Sequence, residues 1–396
     1  MRVLYVWDAE YPWDVRTEKV CMALVRGGHH VVITARNLQA RPRTEIRPEG
    51  TVERIPAGPA LARRWASFPA PFNLLWLGHL LRVIRKHDID LIIVRDIPLA
   101  PAALLASRNR RPVILDMAEN YPAMIRDVWT DRRQRPFDFL IRNPVLVAGI
   151  ERFVIGRVDH VLAVVEESKQ RLVTLGVPEE RVSVVSNTPP EARVSNPESR
   201  APEKPLRMVY LGLMERHRGI GCTLDASASL KQAGVPFHLD LVGDGRDYDD
   251  LRRYAAALSL TADEVTFHGR LPHVEAIAVV SRAHVGLVPH DARESWNTTI
   301  PNKLFDYMAA GLAVITSDAA PAARVVRETG AGLVFRSSDG RHFAEMMRRC
   351  LDPILRDQYR RAGQEAIRSR YNWESDVRVL LDVVSKVGGS RIAHGG

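Results

Sequence analysis

Short runs of Val, Ile and Leu alternate with helix-like segments along the 396-residue chain, and this alternation constrains the fold more than any other feature. In the first half the apolar runs occupy residues 2–7, 30–34, 91–95, 112–116, 161–165 and 182–185. Strands that are apolar on both faces lie inside a parallel sheet, with the intervening segments as crossover helices. The first half is therefore predicted to be a doubly wound α/β domain.

The same alternation restarts after residues 189–205, which are rich in Pro, Ser and Glu and have the composition of a linker. A chain of this length is also too long for one ordinary core. We therefore predict an α/β protein with two Rossmann-like, parallel-sheet domains that face a central cleft. The predicted boundaries are residues 1–188 for the first domain, 189–205 for the linker, 206–371 for the second domain and 372–396 for a final helix and tail.

Composition restricts the partners and the compartment. A net charge of +9 and a pI of about 9.7 favour an anionic partner, such as a phosphorylated substrate, a membrane surface or nucleic acid, although solubility alone also explains them. Cys21, Cys222 and Cys350 lack metal-ligand spacing, which argues against a disulfide framework or a zinc site. Met1 leads directly into a strand, and the apolar run 72–84 is too short to span a bilayer. We expect a cytoplasmic protein.

The segment from Pro301 to Gly311 reads as a loop, a helix and a glycine stop, and a short apolar strand follows at 312–318. Lys303 and Asp306 are three residues apart, so both fall on one face at the start of the helix. A cation, a carboxylate and free helix N–H groups at one point suit a phosphate-and-sugar ligand. Taken alone, the segment is more typical of an amphipathic crossover helix with a solvated Lys and Asp.

Other strand ends strengthen the ligand interpretation, because ligands of doubly wound sheets bind beyond the carboxyl ends of the strands. Gly212 and Arg218 follow the first strand of the second half; the arginine fork suits a diphosphate, and the glycine permits close approach of the backbone. The next three strand ends carry Gly243, Asp244 and Gly245, then His268, then His290. Each is typical of a structural turn, but the set indicates a nucleotide-diphosphate site.

Over nearly its whole length the chain resembles the group 1 (family 4) glycosyltransferases, which have the two-domain GT-B fold. The segments that carry the resemblance occur in the family's order and spacing: DVRTEKVCMALVRGGHHVVIT, GLMERHRGI, LVGDG, FHGRLPHVE and PNKLFDYMAAGLAVITSD. The resemblance implies retaining transfer of a sugar from a nucleotide-diphosphate donor to a glycan or lipid-linked glycan, in polysaccharide or glycolipid biosynthesis, with no metal or cofactor. It also implies that the final helix crosses back to the N-terminal domain.

The resemblance assigns donor contacts to particular residues. Arg218 matches the basic residue that contacts the donor pyrophosphate, and Asp306 matches the second carboxylate of a spaced glutamate pair, which hydrogen-bonds the ribose. Lys303 lies in a PNK variant of that motif and is placed near the donor phosphates. The predicted donor-binding residues are Gly212, Arg218, Gly243, Asp244, Gly245, His268, Lys303, Leu304 and Asp306.

The chain departs from the family pattern at several of these positions. Thr298 stands where the first glutamate of the pair is expected, and the second is shortened to Asp306. Leu213 replaces an arginine that is common in the family. Glu294 lies four residues from the expected glutamate position, and whether it substitutes is open. These departures bear on the donor contacts more than on the fold.

The N-terminal half is expected to bind the acceptor. The loop after the first strand is rich in aromatic residues and carboxylates, which suits a sugar and equally suits a packed surface loop; Asp14 and Arg16 are the predicted acceptor-side residues. Asp116 and Glu119 follow a strand and resemble the family's DxHE segment, with Ala118 in place of its histidine. We predict Asp116 and Glu119 as catalytic residues.

Several alternatives stay open at this stage. The basic and aromatic segments 63–68 and 132–137 fit peripheral contact with an anionic membrane on its inner face, or a solvated helix pair. A GT-B nucleotide-sugar epimerase or hydrolase is one alternative function. A non-catalytic GT-B assembly protein is another, favoured by Thr298 and Ala118. Nucleic acid is not expected as a partner, because the Arg residues are scattered and no recognition motif is present.

Overall fold

The computed structural model describes residues 1–56, 68, 70–131, 143–194 and 204–392. The chain divides into two compact units, Met1–Asn187 with Asp376–Gly396, and Thr188–Ser375. Apart from Phe68, the basic and aromatic segments 63–68 and 132–137 lie outside the described residues, as does the middle of the predicted linker.

An eight-stranded sheet forms the centre of the first unit, in the order β3-β4-β2-β1-β5-β6-β7-β8 among the described residues. All neighbouring strands pair in parallel except β3 and β4, which are antiparallel. The strands are β1 (Arg2–Glu10), β2 (His30–Arg36), β3 (Thr44–Arg47), β4 (Gly50–Arg54), β5 (Leu91–Arg95), β6 (Val113–Met117), β7 (His160–Ala163) and β8 (Val182–Val184). The helices are α1 (Val15–Arg26), α2 (Leu74–Lys86), α3 (Ala100–Ser107), α4 (Tyr121–Asp131), α5 (Pro144–Ile155) and α6 (Glu166–Thr174).

Continuous apolar runs place the central strands of this sheet in the core. Every residue of β6 is buried, which requires cover on both faces of the sheet. Trp76 of α2, Ile92 of β5 and Leu115 of β6 belong to the same cluster of buried apolar residues. Helix α2 begins where the side chain of Asn73 accepts the N–H groups of Leu75 and Trp76, at 2.8 and 3.3 Å.

The second unit contains a fully parallel six-stranded sheet, in the order β11-β10-β9-β12-β13-β14. Its strands are β9 (Leu206–Leu211), β10 (Phe237–Val242), β11 (Val265–Gly269), β12 (Val285–Val288), β13 (Ala313–Ser317) and β14 (Gly332–Phe335). Its helices are α7 (Ile220–Gln232), α8 (Tyr248–Ala257), α9 (His273–Ser281), α10 (Asn302–Ala309), α11 (Ala320–Thr329), α12 (Gly340–Arg349) and α13 (Pro353–Ser369). Helix α14 (Trp373–Ile392) follows, and its residues from Asp376 onward belong to the first unit.

Both sheets reverse their strand order at one point. In the second unit the chain moves outward from β9 through β10 to β11 and then returns to β12 on the other side of β9. In the first unit the corresponding neighbours are β1 and β5. The crossover loops separate at such a switch point, which leaves a crevice at the carboxyl ends of the two strands where ligands bind.

The predicted fold class of two doubly wound parallel-sheet domains is confirmed. The apolar runs predicted as strands are all strands, with bounds that differ by a few residues. Five elements were not predicted, namely β3, β4, α4, α6 and α11. Strand β3 lies at the sheet edge and alternates polar residues with Ile46, so it has no apolar run to mark it.

Candidate functional site

Two glycines allow the loop after β9 and the loop after β10 to come into direct backbone contact. Gly212 follows β9 with φ +145°, and Gly243 follows β10 with φ +135°. A Cβ at Gly243 would stand 2.8 Å from the carbonyl carbon of Gly212, so no side chain fits there. The main-chain carbonyl of Asp244 accepts the N–H of Met214 at 3.1 Å, which links the two loops. The predicted donor role of Gly243, Asp244 and Gly245 stays a prediction.

The turn after β9 is held directly on the end of β12. Gly219 has φ +73°, and a Cβ on it would overlap the carbonyl group of Pro289. The N–H of Asp291 donates to the carbonyl of His217 at 3.2 Å. These contacts fix Arg218 beside His290, so the basic turn lies at the switch point between β9 and β12.

Lys303 reaches the same point from the first turn of α10. Its Nζ lies 3.7 Å from the ring centroid of Tyr210 and so close to Gly212 that a Cβ there would be 2.8 Å away. The residue is 8% exposed, and its Nζ finds no hydrogen-bond partner among the described residues. Burial, with the charge of Arg218 as the second cause, lowers the pKa of Lys303 well below its usual range.

Arg218 and His290 also have nitrogen atoms that make no hydrogen bond to a described residue. The Nε of Arg218 is buried and makes no hydrogen bond within the described part of the chain, although Glu215 lies 3.8 Å away as an ion-pair partner. His290 is 1% exposed, and neither ring nitrogen is hydrogen-bonded to a described residue. The Trp296 ring covers both, with centroid distances of 5.2 Å to the Arg218 guanidinium and 4.3 Å to the His290 ring.

Buried polar groups almost always have partners, so three such groups at one point need an explanation. Lys303 and Arg218 are basic side chains, and the described residues give Lys303 no carboxylate. The site therefore suits an anion, and the arginine fork and the lysine point charge are the usual ligands of phosphate oxygens.

The structure gives the other predicted residues of the second unit different surroundings. Asp306 is 35% exposed at its side chain and lies 3.7 Å from Arg193 as an ion pair. Thr298 donates its hydroxyl to the carbonyl of Glu294 at 3.1 Å. Leu304 is fully buried in the core, its N–H donates to the carbonyl of Pro301, and its predicted donor contact stays a prediction.

His268 is hydrogen-bonded to a carboxylate within the sheet. Its Nε2 lies 2.7 Å from Asp240 of β10, and His238 lies 3.3 Å from the same carboxylate. Burial alone would raise the pKa of Asp240, but the two histidines outweigh it and hold that pKa below its usual range. In contrast to His290, His268 therefore has a partner, and its predicted donor contact stays a prediction.

In the first unit, two residues predicted to have separate roles form one buried ion pair. Arg16 donates its Nε and Nη2 to Asp116 at 3.0 and 2.5 Å, and Tyr5 donates its hydroxyl at 2.7 Å. Burial opposes ionisation of Asp116, but Arg16 outweighs it and keeps the pKa below its usual range. The Asp116 carboxylate is enclosed by these contacts, and the catalytic role of Asp116 and the acceptor contact of Arg16 stay predictions.

Three further acidic residues of this unit, Asp14, Asp96 and Glu119, follow the carboxyl ends of β1, β5 and β6. Asp14 caps α1 by accepting the N–H of Thr17 at 2.7 Å, and it also pairs with Arg95. Asp96 accepts the N–H groups at positions 118 and 119, at 2.8 and 3.2 Å, and burial raises its pKa to about 7. Glu119 itself is exposed, so it is the predicted catalytic carboxylate that remains accessible.

Sequence reasoning missed three members of the second unit's site. His290 was noted at a strand end but not assigned a role, and Tyr210 and Trp296 were not singled out. Tyr210 lies within an apolar strand, and Trp296 lies in an irregular segment, so neither stands in a motif. The position of His290 after a strand was the available signal.

Among the described residues, no group of three or more His, Cys, Asp or Glu side chains is placed to hold a metal ion. In the same part of the chain, no helix combines the length and the apolar character that crossing a membrane requires.

Known protein families match both units. A family model described as "Glycosyl transferase 4-like domain" matches residues 14–188, and one described as "Glycosyl transferases group 1" matches residues 205–353. Together they take in more than half of the chain. The chain belongs to the group 1, family 4 glycosyltransferases. The resemblance seen in the sequence is thereby confirmed.

Individual relatives agree with this assignment. The phosphatidyl-myo-inositol mannosyltransferase of Mycobacterium leprae (strain TN) is 29% identical over 185 residues, which are 46% of this chain and 47% of that protein. The chain thus spans about half the length of the curated relatives it matches.

Solved structures resemble the whole chain. Sucrose-phosphate synthase from Thermosynechococcus elongatus has a TM-score of 0.78 at 17% identity, over 98% of this chain and 100% of that one. HepE from Anabaena, in complex with UDP-glucose, has a TM-score of 0.70 at 15% identity, over 98% and 100%. At these identities the likeness concerns the fold alone, and it supports the predicted GT-B fold class.

Proposed function

We propose that this chain transfers a sugar from a nucleotide-diphosphate donor to a glycan or lipid-linked glycan, with retention and without a metal ion. The proposal rests on the buried nitrogen atoms of Lys303, Arg218 and His290, which make no hydrogen bond to a described residue and lie at the switch point of the second sheet. The likeness to HepE, which was crystallised with UDP-glucose, supports a nucleotide-sugar donor.

The same cations suit the chemistry of the leaving group. As the glycosidic bond breaks, negative charge builds on the departing nucleoside diphosphate. Lys303 and Arg218 stabilise that charge in a site with little water, where electrostatic interactions are strong. The first N–H groups of α10 add partial positive charge. Because side chains supply this charge, we propose that no divalent ion is needed.

The first experiment is a thermal-shift screen of the full chain against UDP, GDP, ADP, dTDP and CMP, with and without EDTA. A saturable shift with one nucleoside diphosphate, unchanged by EDTA, is the expected result and names the donor base. A shift that EDTA abolishes contradicts the metal-free mechanism. No shift with any nucleotide, from a folded protein, favours the non-catalytic alternative.

A matched pair of arginine variants tests the site itself. Arg218→Met removes the guanidinium held beside His290, whereas the side chain of Arg216, two residues away, is 78% exposed and serves as the control. Loss of a charged hydrogen bond costs about 1.5–3 kcal/mol, so Arg218→Met is expected to weaken nucleotide binding about 10- to 150-fold. Equal effects of Arg218→Met and Arg216→Met would refute the assignment.

Retention is tested on the product. Once the donor is known, the NMR coupling constant of the new anomeric proton reports the configuration, and an inverted product refutes the proposal. Front-face displacement assisted by the donor phosphate requires few protein carboxylates. Glu119→Gln is therefore expected to lower kcat while leaving nucleotide affinity unchanged, because Glu119 lies in the other unit.

Exposed apolar side chains favour an acceptor at a membrane surface. Leu74 and Val145 are 79% and 80% exposed in the first turns of α2 and α5, which begin at the carboxyl edge of the first sheet. We propose peripheral contact there with the inner face of an anionic membrane, in glycolipid or polysaccharide biosynthesis. The relative from Mycobacterium leprae, a phosphatidyl-myo-inositol mannosyltransferase, supports a lipid acceptor.

Vesicle co-sedimentation tests this contact. Vesicles of phosphatidylcholine with roughly 30% phosphatidylglycerol are compared with vesicles of phosphatidylcholine alone. Anionic lipid is expected to strengthen membrane binding by about 1 kcal/mol for each basic residue near the surface. Leu74→Glu with Val145→Glu is expected to abolish sedimentation. Ile46→Glu, at an equally exposed apolar residue on the edge strand β3, is the control and should sediment like the wild type. No difference between the two variants contradicts the proposed surface.

A further inference from the structure

His290 combines complete burial with two unused hydrogen-bonding atoms. It follows β12 directly, and its carbonyl accepts the hydroxyl of Ser317 at 2.5 Å, which anchors the backbone. The imidazole makes no hydrogen bond to any described residue through either nitrogen. Such a ring is costly in an interior, so a bound group that uses these nitrogens is the natural explanation.

Charged groups approach this ring from two neighbouring elements. Arg218 and His217 lie on the turn after β9, and Lys303 lies on α10; all three disfavour a positive charge on His290. The nearest carboxylate on that turn, Glu215, is already paired with His217 at 3.2 Å and with Arg218 at 3.8 Å. Burial first, and these cations second, lower the pKa of the imidazole well below its usual range.

Within the irregular segment that contains His290, acidic and basic groups also pair with each other. Asp291 lies 3.6 Å from Arg293 as an ion pair, and Glu294 is exposed. Trp296, from the same segment, covers the imidazole at a centroid distance of 4.3 Å and an interplanar angle of 61°. In the free protein these surroundings therefore favour the neutral form of the ring, which lies near the basic side chains of Arg218, His217 and Lys303 and is covered by an indole.

We propose that His290 is a third ligand of the donor diphosphate, and that it donates a hydrogen bond to a phosphate oxygen and takes up a proton from solvent when the diphosphate binds. This inference rests on the function proposed above. Trp296 belongs to a segment without helix or strand, and it moves off the ring as the diphosphate enters. The negative charge of the diphosphate offsets the charge of Arg218 and favours the protonated forms of His290 and Lys303.

His290, Lys303 and Arg218 differ in whether they can take up a proton when an anion binds. An arginine stays protonated throughout, so Arg218 contributes no proton exchange. Lys303 can take up a proton as well, because burial lowers the pKa of its amine and favours the neutral form in the free protein. Proton uptake on binding must therefore be divided between Lys303 and His290 by mutation, because the pKa values of both groups are lowered in the free protein.

Isothermal titration calorimetry of the full chain with UDP, or with GDP if the thermal-shift screen selects GDP, tests the inference. At pH 7.5, titrations in PIPES, HEPES and Tris buffers, which contain no phosphate to compete for the site, give the number of protons taken up, because the heat of binding changes with the ionisation heat of the buffer. The wild type is expected to take up a net fraction of a proton or more per nucleotide. Its affinity should rise as the pH falls from 8.5 to 6.

Two variants of His290 separate its chemistry from its packing. His290→Gln keeps a hydrogen-bonding side chain that cannot titrate, so it should bind like the wild type at pH 8.5 but lose the tightening toward pH 6 and part of the uptake. His290→Phe fills the space without nitrogen atoms and should bind about 10-fold more weakly or worse. His273→Gln, at an exposed histidine that begins α9, should keep the full uptake.

The outcomes distinguish this inference from the proposed function. Binding with the same uptake and the same pH dependence in His290→Gln overturns the role of His290 alone, as does binding by the wild type with no uptake. Failure of every nucleoside diphosphate to bind the folded wild type overturns the proposed function and this inference with it. Thermal unfolding of each variant without nucleotide shows whether it is folded.

Discussion

Replacing Lys303 by methionine is expected to stabilise the free protein and to remove its affinity for nucleoside diphosphates. The Nζ of Lys303 is buried without a hydrogen bond to any described residue, and its contact with the Tyr210 ring at 3.7 Å is its main favourable interaction. Methionine is unbranched, flexible and of similar length, so it can fill the same space without a buried polar atom. Sites that bind ligands often carry such a cost in stability.

The magnitude follows from two opposing contributions. An amine buried without a hydrogen bond costs about 1–3 kcal/mol, and a desolvated cation–π contact returns about 0.5–2 kcal/mol. The return is small here, because burial and Arg218 lower the pKa of Lys303 and disfavour its charged form. We expect Lys303→Met to add roughly 1–2 kcal/mol of stability, or about 2–8 °C in Tm for a domain of this size.

The gain should depend on pH in a defined direction. The unfolded lysine titrates near 10.4, and the folded one titrates lower, so between these values the unfolded state holds more protons. Wild-type stability therefore rises with pH in this window, and the advantage of methionine is largest below the folded pKa and shrinks as the pH approaches about 10.4.

Urea denaturation of wild type and Lys303→Met at about pH 6.5 and pH 9.5 measures this difference. Lys231→Met is the control, since Lys231 pairs with Glu264 at 2.8 Å and its loss should not stabilise the protein at either pH. A Lys303→Met protein that is less stable than wild type at pH 6.5, or that binds UDP or GDP as tightly as wild type, would refute the reasoning.

Three further predictions concern the rest of the fold. Arg16→Met leaves the carboxylate of Asp116 buried without its cation and should cost about 3–5 kcal/mol in urea denaturation; a loss below about 1 kcal/mol contradicts it. Burial raises the pKa of Asp96 to about 7, so its ionised form lowers the stability of the folded protein above that pH, and protonation relieves this cost as the pH falls. Asp96→Asn should therefore increase the free energy of unfolding more at pH 8.5 than at pH 5. An equal increase at both pH values would contradict this prediction. Gly219→Ala should weaken nucleotide binding in calorimetry, because its Cβ has no room, whereas Gly221→Ala meets open space and should bind normally.

The strands were predictable because their burial is local in the sequence. Every position of β13 is buried, as is every position of β5 except Arg95, so their residues form nearly uninterrupted apolar runs. Strand β3 was not predictable, because it is an edge strand of alternating character whose Ile46 points into solvent. Helix α11 carries Pro321 in its first turn, and proline there is typical of turns as well as of helix starts.

The chemistry of the candidate site divides in the same way. Sequence alone determined the fold class, the glycosyltransferase family and the basic residues that follow the strands of the second domain, because each depends on residues close together in the chain. Only the tertiary structure decided which charged groups have partners. Arg16 and Asp116 were assigned separate roles but neutralise each other, whereas Lys303 and His290 reach the switch point without partners among the described residues. Pairing depends on neighbours that folding brings from distant parts of the chain, and it decides whether a charge supports the fold or is left for a ligand.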